Sequence, residues 1–470
     1  MTPQASPGFP GEPPLFHDTR TGPERERDRR EIEQQIAHLI NFRYDPARQR
    51  QVLKRLNKSR KARGLPPIVK LPINDTVPAL VPREFVVRRR DSDRADVQAV
   101  IKRFGMSDEL VDLEGRELMR LKLPPRRLTL RPSALVQQLR GRCSVVAAAI
   151  TTVPIEPNYA VPLGGWVKGQ GGPENTAARP TLRPRGTTSI QVAVIDTGLG
   201  PRTDGWLQGL TNPELDDLYP DPAKPTGGGP PVLGLAGGHG SFVGGIVQQV
   251  EPSTDLRMYR AVDFDGIGEE TSVAGKVVQA AQDGAKIVNL SLGTQTVNNV
   301  PPLAIKAGIE RAVAINDKIL IVCAAGNYGD TRKVWPAAFS LTFPDNVVAV
   351  AGLNAEGQRP ESDWSTHDDP DRPVDDPANF IGISTIAEGI VSTYVRGTED
   401  PIVDDPPDVF GDNPFAVWIG TSFAAPQITG AVAKICLADS VEPIDAVRTL
   451  KDRGTVIPGY GRGVEILSGT

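Results

Sequence analysis

The chain is short of cysteine, histidine and aromatic residues: 3 Cys, 4 His and 5% Phe, Trp and Tyr in 470 residues. Cys143, Cys323 and Cys436 are odd in number, far apart and outside any C-x-x-C pattern, which argues against a disulfide framework. Two of them stand in strongly apolar runs and read as buried thiols. Neither sign of charge is in excess. With a net charge of −4 and a pI near 5.8, nothing global selects nucleic acid or an acidic surface as partner. Met1 to Arg30 holds no apolar stretch of the signal-peptide kind, being Pro-rich and then densely charged. No later run approaches the ~18 consecutive apolar residues of a membrane span. These absences predict a reducing, cytoplasmic setting without membrane contact.

Glycine and proline are plentiful, at 47 and 44, as in a loop-rich enzyme, and the length suits two or three units. Residues 1–23 are Pro/Gly-rich and expected to be disordered. Within 24–82, Ile32, Ile36, Leu39 and Ile40, then Val52, Leu53 and Leu56, recur at helical spacing with Pro46 between them. One or two amphipathic helices are expected there, followed by a Pro-rich linker. From Pro46 to Asn74 there is no acidic residue, yet Arg48, Arg50, Lys54, Arg55, Lys58, Arg60, Lys61, Arg63 and Lys70 are basic. Without interleaved aromatics this stretch reads as a patch docking on acidic parts of the chain, and argues against nucleic acid as partner.

Residues 83–159 read strand, helix, strand, helix, strand. Positions 85–87 begin it, and Val97, Val100, Ile101 and Phe104 form a helical stripe behind the capping candidates Asp91 and Ser92. An alternating run at 118–123, a stripe of Leu135, Val136 and Leu139, and a β-prone run at 145–153 complete the unit. A linker, 160–187, leads into 188–470. There, apolar runs at 190–195, 256–262, 286–292, 319–325 and 347–351 alternate with helical patterns near 240–249, 272–283, 301–316 and 422–435. Strands without polar alternation, separated by helices, predict a parallel sheet covered on both faces, a doubly wound α/β fold.

In such a sheet ligands gather beyond the carboxyl ends of the strands. Asp196, Ser291 to Gly293 and Asn327 all fall at strand ends. A serine hydroxyl is a poor nucleophile near neutral pH and needs a base held in the correct tautomer by a third group. Ser422, in Gly420-Thr421-Ser422-Phe423-Ala424-Ala425-Pro426, is the candidate nucleophile; His239, in Gly238-His239-Gly240, the base and acid; Asp196, in Asp196-Thr197-Gly198, the orienting carboxylate. Pro426 is expected inside the first helical turn, where no N–H bond is forfeited. The order Asp, His, Ser and these motifs resemble the subtilases, the subtilisin-like serine proteases, most densely over 188–437.

The resemblance implies a serine endopeptidase acting on protein or peptide substrates. By the same likeness Asn327, in Ala324-Ala325-Gly326-Asn327, serves the oxyanion hole. Ser291, Leu292 and Gly293 with Ala324, Ala325 and Gly326 line the cleft, their small side chains leaving room for a sizeable residue at the cleaved bond. Trp335-Pro336-Ala337 is the candidate pocket floor. The sequence departs from the family at Phe242, where a second histidine is common, at Phe423, at Ala425 and over 427–429. Residues 83–159 resemble the inhibitory propeptide of such enzymes, ending near Ile155-Glu156-Pro157-Asn158-Tyr159, 37 residues before Asp196. The chain's own N-terminal unit is then an intramolecular inhibitor. No cofactor is expected to be required; calcium often stabilises the family, but no metal motif supports it here. Asp368, Asp369, Asp371, Asp375 and Asp376 read as a solvated, flexible loop rather than a metal site. The alternative is a catalytically silent binding module whose N-terminal unit permanently plugs the cleft, against which the complete set of motifs argues.

Overall fold

The computed structural model describes residues 18–68 except 19, 44 and 66, residues 80–124 except 114 and 116, and residues 154–163, 172–201, 205–219, 231–400 and 406–469. The expected disorder of the first residues, the Leu135 stripe, the β-prone run at 145–153, most of the Pro-rich linker and Cys143 lie outside these residues.

Two helices open the chain, α1 (Gly22–Arg43) and α2 (Pro46–Ala62). Pro46 sits at the first helical position, where its missing N–H costs nothing, and the Asp45 carboxylate caps the N–H groups of Ala47 and Arg48. Strand β1 (Leu80–Arg88), helix α3 (Ala95–Phe104), β2 (Ser107–Val111), β3 (Leu118–Lys122) and β4 (Ile155–Pro162) follow. The expected cap is not used: Asp91 and Ser92 lie in a short helical turn, and α3 starts after Arg94 with no side-chain cap. β2 is an additional strand. Its residues are mostly exposed, so it carries no burial alternation to read. Phe85, Val87, Val97, Val100, Met119, Leu121 and Ile155 close this small core. On the other face Leu113 and Leu118 pack against Ala274, Val278, Ala304 and Ala307, two helices of the larger unit.

That unit contains β5 (Ile190–Asp196), α4 (His239–Val250), β6 (Thr254–Arg260), β7 (Ile267–Glu269), α5 (Glu270–Gln282), β8 (Ile287–Leu290), α6 (Leu303–Ile315), β9 (Leu320–Ala324), β10 (Val347–Leu353), β11 (Ile381–Ile386), α7 (Thr421–Asp439), α8 (Pro443–Arg453), β12 (Thr455–Ile457) and β13 (Gly461–Gly463). Its main sheet runs β12-β13-β11-β10-β9-β8-β5-β6, parallel throughout except at the β12–β13 edge. Side chains alternate between two cores. Val192, Val194, Val322 and Val350 join one with residues of α4 and α7, while Ala193, Ile195, Ile321 and Ala349 join the other with residues of α5 and α6. Both faces being buried, the strands read as unbroken apolar runs. The chain leaves β5 for β6 on one side and returns to β8 on the other, so the strand order reverses beside Asp196.

β4 crosses position 159 and continues to Pro162. It pairs antiparallel with β1 on one edge and with β7 on the other, Ala160 opposite Glu269, Val161 opposite Gly268 and Pro162 opposite Ile267. The basic helix α2 docks on acidic residues, as the charge pattern predicts: Arg60 Nη1 lies 2.6 Å from the buried Asp265 carboxylate, Arg55 pairs with Asp400 at 2.9 Å, and Arg63 with Asp217. Val52 and Leu56 are buried in this contact. Among the described residues no helix is long and apolar enough to cross a membrane. Cys323 and Cys436 are unpaired and buried, and burial pushes the Cys436 thiol up to about 12.

Candidate active site

Asp196 ends β5 and His239 begins α4, and the structure brings them together. His239 Nδ1 is 2.8 Å from Asp196 Oδ1, with both side chains fully buried. The same carboxylate oxygen accepts the Thr197 N–H at 2.7 Å. A carboxylate at Nδ1 fixes the tautomer that leaves Nε2 as the acceptor. The strand end is tied to the helix start by Asp216, a residue the sequence did not single out. Its Oδ2 accepts from Thr197 Oγ1 and from Gly238 N, both at 2.8 Å, and Thr197 Oγ1 accepts from Gly240 N at 3.0 Å. Burial pushes the Asp216 carboxyl up to about 8. Nothing in the polar run around it separates Asp216 from an ordinary loop carboxylate; only the fold delivers it to this position.

An aromatic wall holds the imidazole from its other side. The His239 ring lies 5.5 Å from Trp418 and 5.4 Å from Phe423, and Phe242 packs on Phe423 at 4.7 Å and on Trp418 at 5.5 Å. Phe242 and Phe423, two separate departures from the family pattern in sequence, are therefore one packed pair in space.

Ser422 lies in the first turn of α7, behind Gly420, whose φ of 147° and closeness to Asn327 suit glycine. Its hydroxyl donates to the Ser291 carbonyl at 3.2 Å, and among the described residues His239 Nε2 has no hydrogen-bond partner. The placement of Pro426 corrects the expectation. α7 starts at Thr421, so Pro426 is in the second turn, and its missing N–H deprives the Ser422 carbonyl of its helical donor. Ser291 Oγ supplies the bond instead, at 2.8 Å. Ser291 Oγ itself accepts from Asn289 Nδ2, and Asn289 Oδ1 from Thr429 Oγ1. Thr429, one of the departures, anchors this chain of bonds.

Asn327 Oδ1 accepts from Thr421 N at 2.9 Å and Thr421 Oγ1 at 2.8 Å. With the oxygen so held, its amide nitrogen lies beside Gly420 at the N-terminus of α7, where backbone N–H groups and the helix dipole favour negative charge. Ser291 to Gly293 follow β8, and Ala324 to Gly326 follow from the end of β9. Val334 stands against both of these segments. A Cβ built on Gly293 would lie 2.6 Å from Val334 Cγ1, and one on Gly326 3.2 Å from that atom and 3.1 Å from the Tyr328 ring. Trp335 pairs with Thr294 behind this barrier. In the acidic loop Asp368 differs from expectation, being buried and accepting the N–H groups of Phe380 and Ile381, while Asp371 and Asp375 are exposed. Among the described residues no group of three or more His, Cys, Asp or Glu side chains could hold a metal ion.

Residues 187–451 match the model of the Subtilase family. The chain is 28% identical over 337 residues to a thermophilic serine proteinase of Bacillus sp. (strain AK1), covering 68% of this chain and 73% of that protein. It is 27% identical over 263 residues to thermitase of Thermoactinomyces vulgaris, covering 52% and 73%. Among solved structures, fervidolysin from Fervidobacterium pennivorans superposes with a TM-score of 0.50 at 18% identity, over 82% of this chain and 60% of that one, a likeness of fold.

Proposed function

This chain belongs to the subtilase family and is a serine-type endopeptidase, and we propose that Asp196, His239 and Ser422 carry the reaction while the N-terminal unit restrains it. The observation that carries the reading is the fully buried 2.8 Å contact between His239 and Asp196, one side chain at a strand end and the other at a helix start, with the imidazole 5.4 Å from the ring of Phe423, the residue after Ser422. In this reading the Ser422 hydroxyl, which now donates to Ser291 O, turns to His239 Nε2, an atom without a hydrogen-bond partner among the described residues. Catalytic hydrogen bonds of this kind commonly tighten only when substrate is bound. Nε2 takes the proton as Oγ attacks the peptide carbonyl, and later returns it to the leaving amine; Asp196 stays ionised and stabilises the imidazolium. The developing oxyanion is held by the Asn327 amide and the Ser422 N–H. Water then releases the acyl group by the same proton path.

The restraint is read from β4. It lies as an added strand along β7, and Gly293 N donates to Pro162 O at 2.9 Å while Leu163 N donates to Gly266 O at 3.0 Å. An extended peptide bound in this way occupies the place of a substrate. The unit's boundary is thus proposed beyond Leu163, and the helical extension is anchored on the larger unit through Arg55, Arg60 and Arg63. These arginines are engaged within the chain, which supports protein or peptide rather than nucleic acid as partner. The unpaired thiols Cys323 and Cys436 support an intracellular place of action, on a limited set of substrates.

A serine-directed covalent probe tests the reading. The full chain is expected to gain one adduct, mapped to the peptide containing Ser422, and His239→Ala to lose it. An unlabelled wild-type chain would favour the silent binding module.

The restraint has a pH dependence with a definite sign. Burial raises the Glu156 carboxyl, on β4, to about 7, and that of Glu270, which accepts the Tyr159 N–H at 3.1 Å, to about 8. The docked form therefore binds more protons than a solvated carboxyl of ordinary pKa does. Docking is firmest below about pH 4.5 and loosens as pH rises towards about 8. Hydrogen exchange over 159–163 in the Ser422→Ala chain, corrected for its intrinsic pH dependence, is expected to show less protection at pH 8.5 than at 5.5. Equal protection would remove these carboxyls from the restraint.

A further inference from the structure

The position of the cleaved residue follows from the register of β4 in the cleft. Thr294 and Gln295 lie against β4, and Gly293 bonds to Pro162, so the segment runs antiparallel to 291–295. In an antiparallel pair the residue two positions before Gly293 faces the residue two positions after its partner. A substrate in this register therefore presents, opposite Ser291, the residue two after the one bonded to Gly293. The Ser291 carbonyl is where the Ser422 hydroxyl now rests, so that residue carries the carbonyl under attack. Its side chain must enter between the segments 291–293 and 324–326. Val334 and Tyr328 already fill that space, Val334 Cγ1 standing close to both Gly293 and Gly326.

The neighbouring positions are also filled by the chain itself. Leu163, immediately before the attacked residue in this register, is buried beside Gly266 and Ala236, in the turn leading to His239. Val161, two residues earlier, is fully buried in the same apolar cluster as Val262 and Leu292. Ala160 faces the opposite way, against Ile267 and Ile68. Alternate side chains thus enter the enzyme, as for any strand laid on a sheet edge.

From this we infer that Val334 restricts the enzyme to cutting after glycine or alanine, with leucine just before the cleaved residue and a β-branched aliphatic residue two positions before that leucine. The inference rests on Ser422 as nucleophile and adds the substrate class. A large aromatic residue at the cut would have to displace Val334 from between two backbone segments.

The test uses the full chain, incubated at pH 8 until a separate aliquot takes up the serine probe; the untreated remainder is assayed. It is offered acetylated peptides Val-Pro-Leu-Ala and Val-Pro-Leu-Phe carrying the same reporter amide, and each with aspartate in place of leucine. Wild type is expected to favour Ala over Phe by about 10²-fold in kcat/KM, and to lose both leucine-to-aspartate peptides. Val334→Gly and Val334→Ala should raise the Phe-to-Ala ratio, glycine the more; a ratio does not depend on how much of a variant folds. A chain whose aliquot takes up the probe and whose untreated remainder cuts denatured casein but treats Ala and Phe alike, or whose ratio ignores position 334, overturns this inference alone. A chain inert to both the probe and casein overturns the protease reading and the inference with it.

Discussion

The Ser422→Ala chain is expected to stay whole and to lose peptide hydrolysis by about 10⁶-fold in kcat, the scale of the same knockout in subtilisin itself. The residue is at the N-terminus of α7, and its hydroxyl is the only oxygen its side chain can offer to the attacked carbonyl. Alanine removes that nucleophile and one bond to Ser291 O, but leaves the Ser291 Oγ bond to the residue 422 carbonyl, which comes from the backbone. The fold should therefore be preserved, and circular dichroism and melting should change little. Intact mass after incubation at neutral pH separates the possibilities. If wild type is shortened on the carboxyl side of Leu163 and the variant is not, the triad is active and the N-terminal unit is removable. If both stay whole while the probe labels wild type, that unit is a lasting inhibitor and processing is wrong. If both stay whole and unlabelled, the catalytic assignment is wrong.

Asn327→Asp should lower kcat by about 10²–10³-fold with little change in KM, the loss expected for one oxyanion donor and first established in a subtilisin. Aspartate is the informative replacement. It keeps the oxygen that accepts from Thr421 N and Oγ1, and exchanges only the amide beside Gly420 for an acceptor. Were Asn327 needed merely to hold the start of α7, aspartate would be nearly silent and Asn327→Leu severe. A loss shared by both variants, confined to kcat, places the amide at the oxyanion. A rise in KM alone would remove it from that role.

Much of the fold was legible in the amino-acid sequence. β5, β9 and β10 are buried on both faces, so their apolar runs needed no partner to be recognised, and each expected strand of the main sheet lies within a few residues of its observed span. The motif residues sit where strands end and helices begin, positions that local sequence marks with Gly, Asp and Ser. β2 escaped because its residues are mostly exposed, and Pro426 was placed one turn too early because the start of α7 depends on the fit of Gly420 against Asn327.

By itself the sequence determined the doubly wound α/β fold and the family, and it named candidates for acid, base and nucleophile, because covalent order and hydrophobic period are local properties. Tertiary structure alone decided that Asp216 ties the end of β5 to the start of α4, that Ser291 replaces the hydrogen bond Pro426 cannot make, and that Val334 stands close to both Gly293 and Gly326. Each of these joins positions distant in sequence, from 8 residues for Val334 and Gly326 to 135 for Ser291 and Pro426. Side chains so far apart meet only when the packed core fixes their distance.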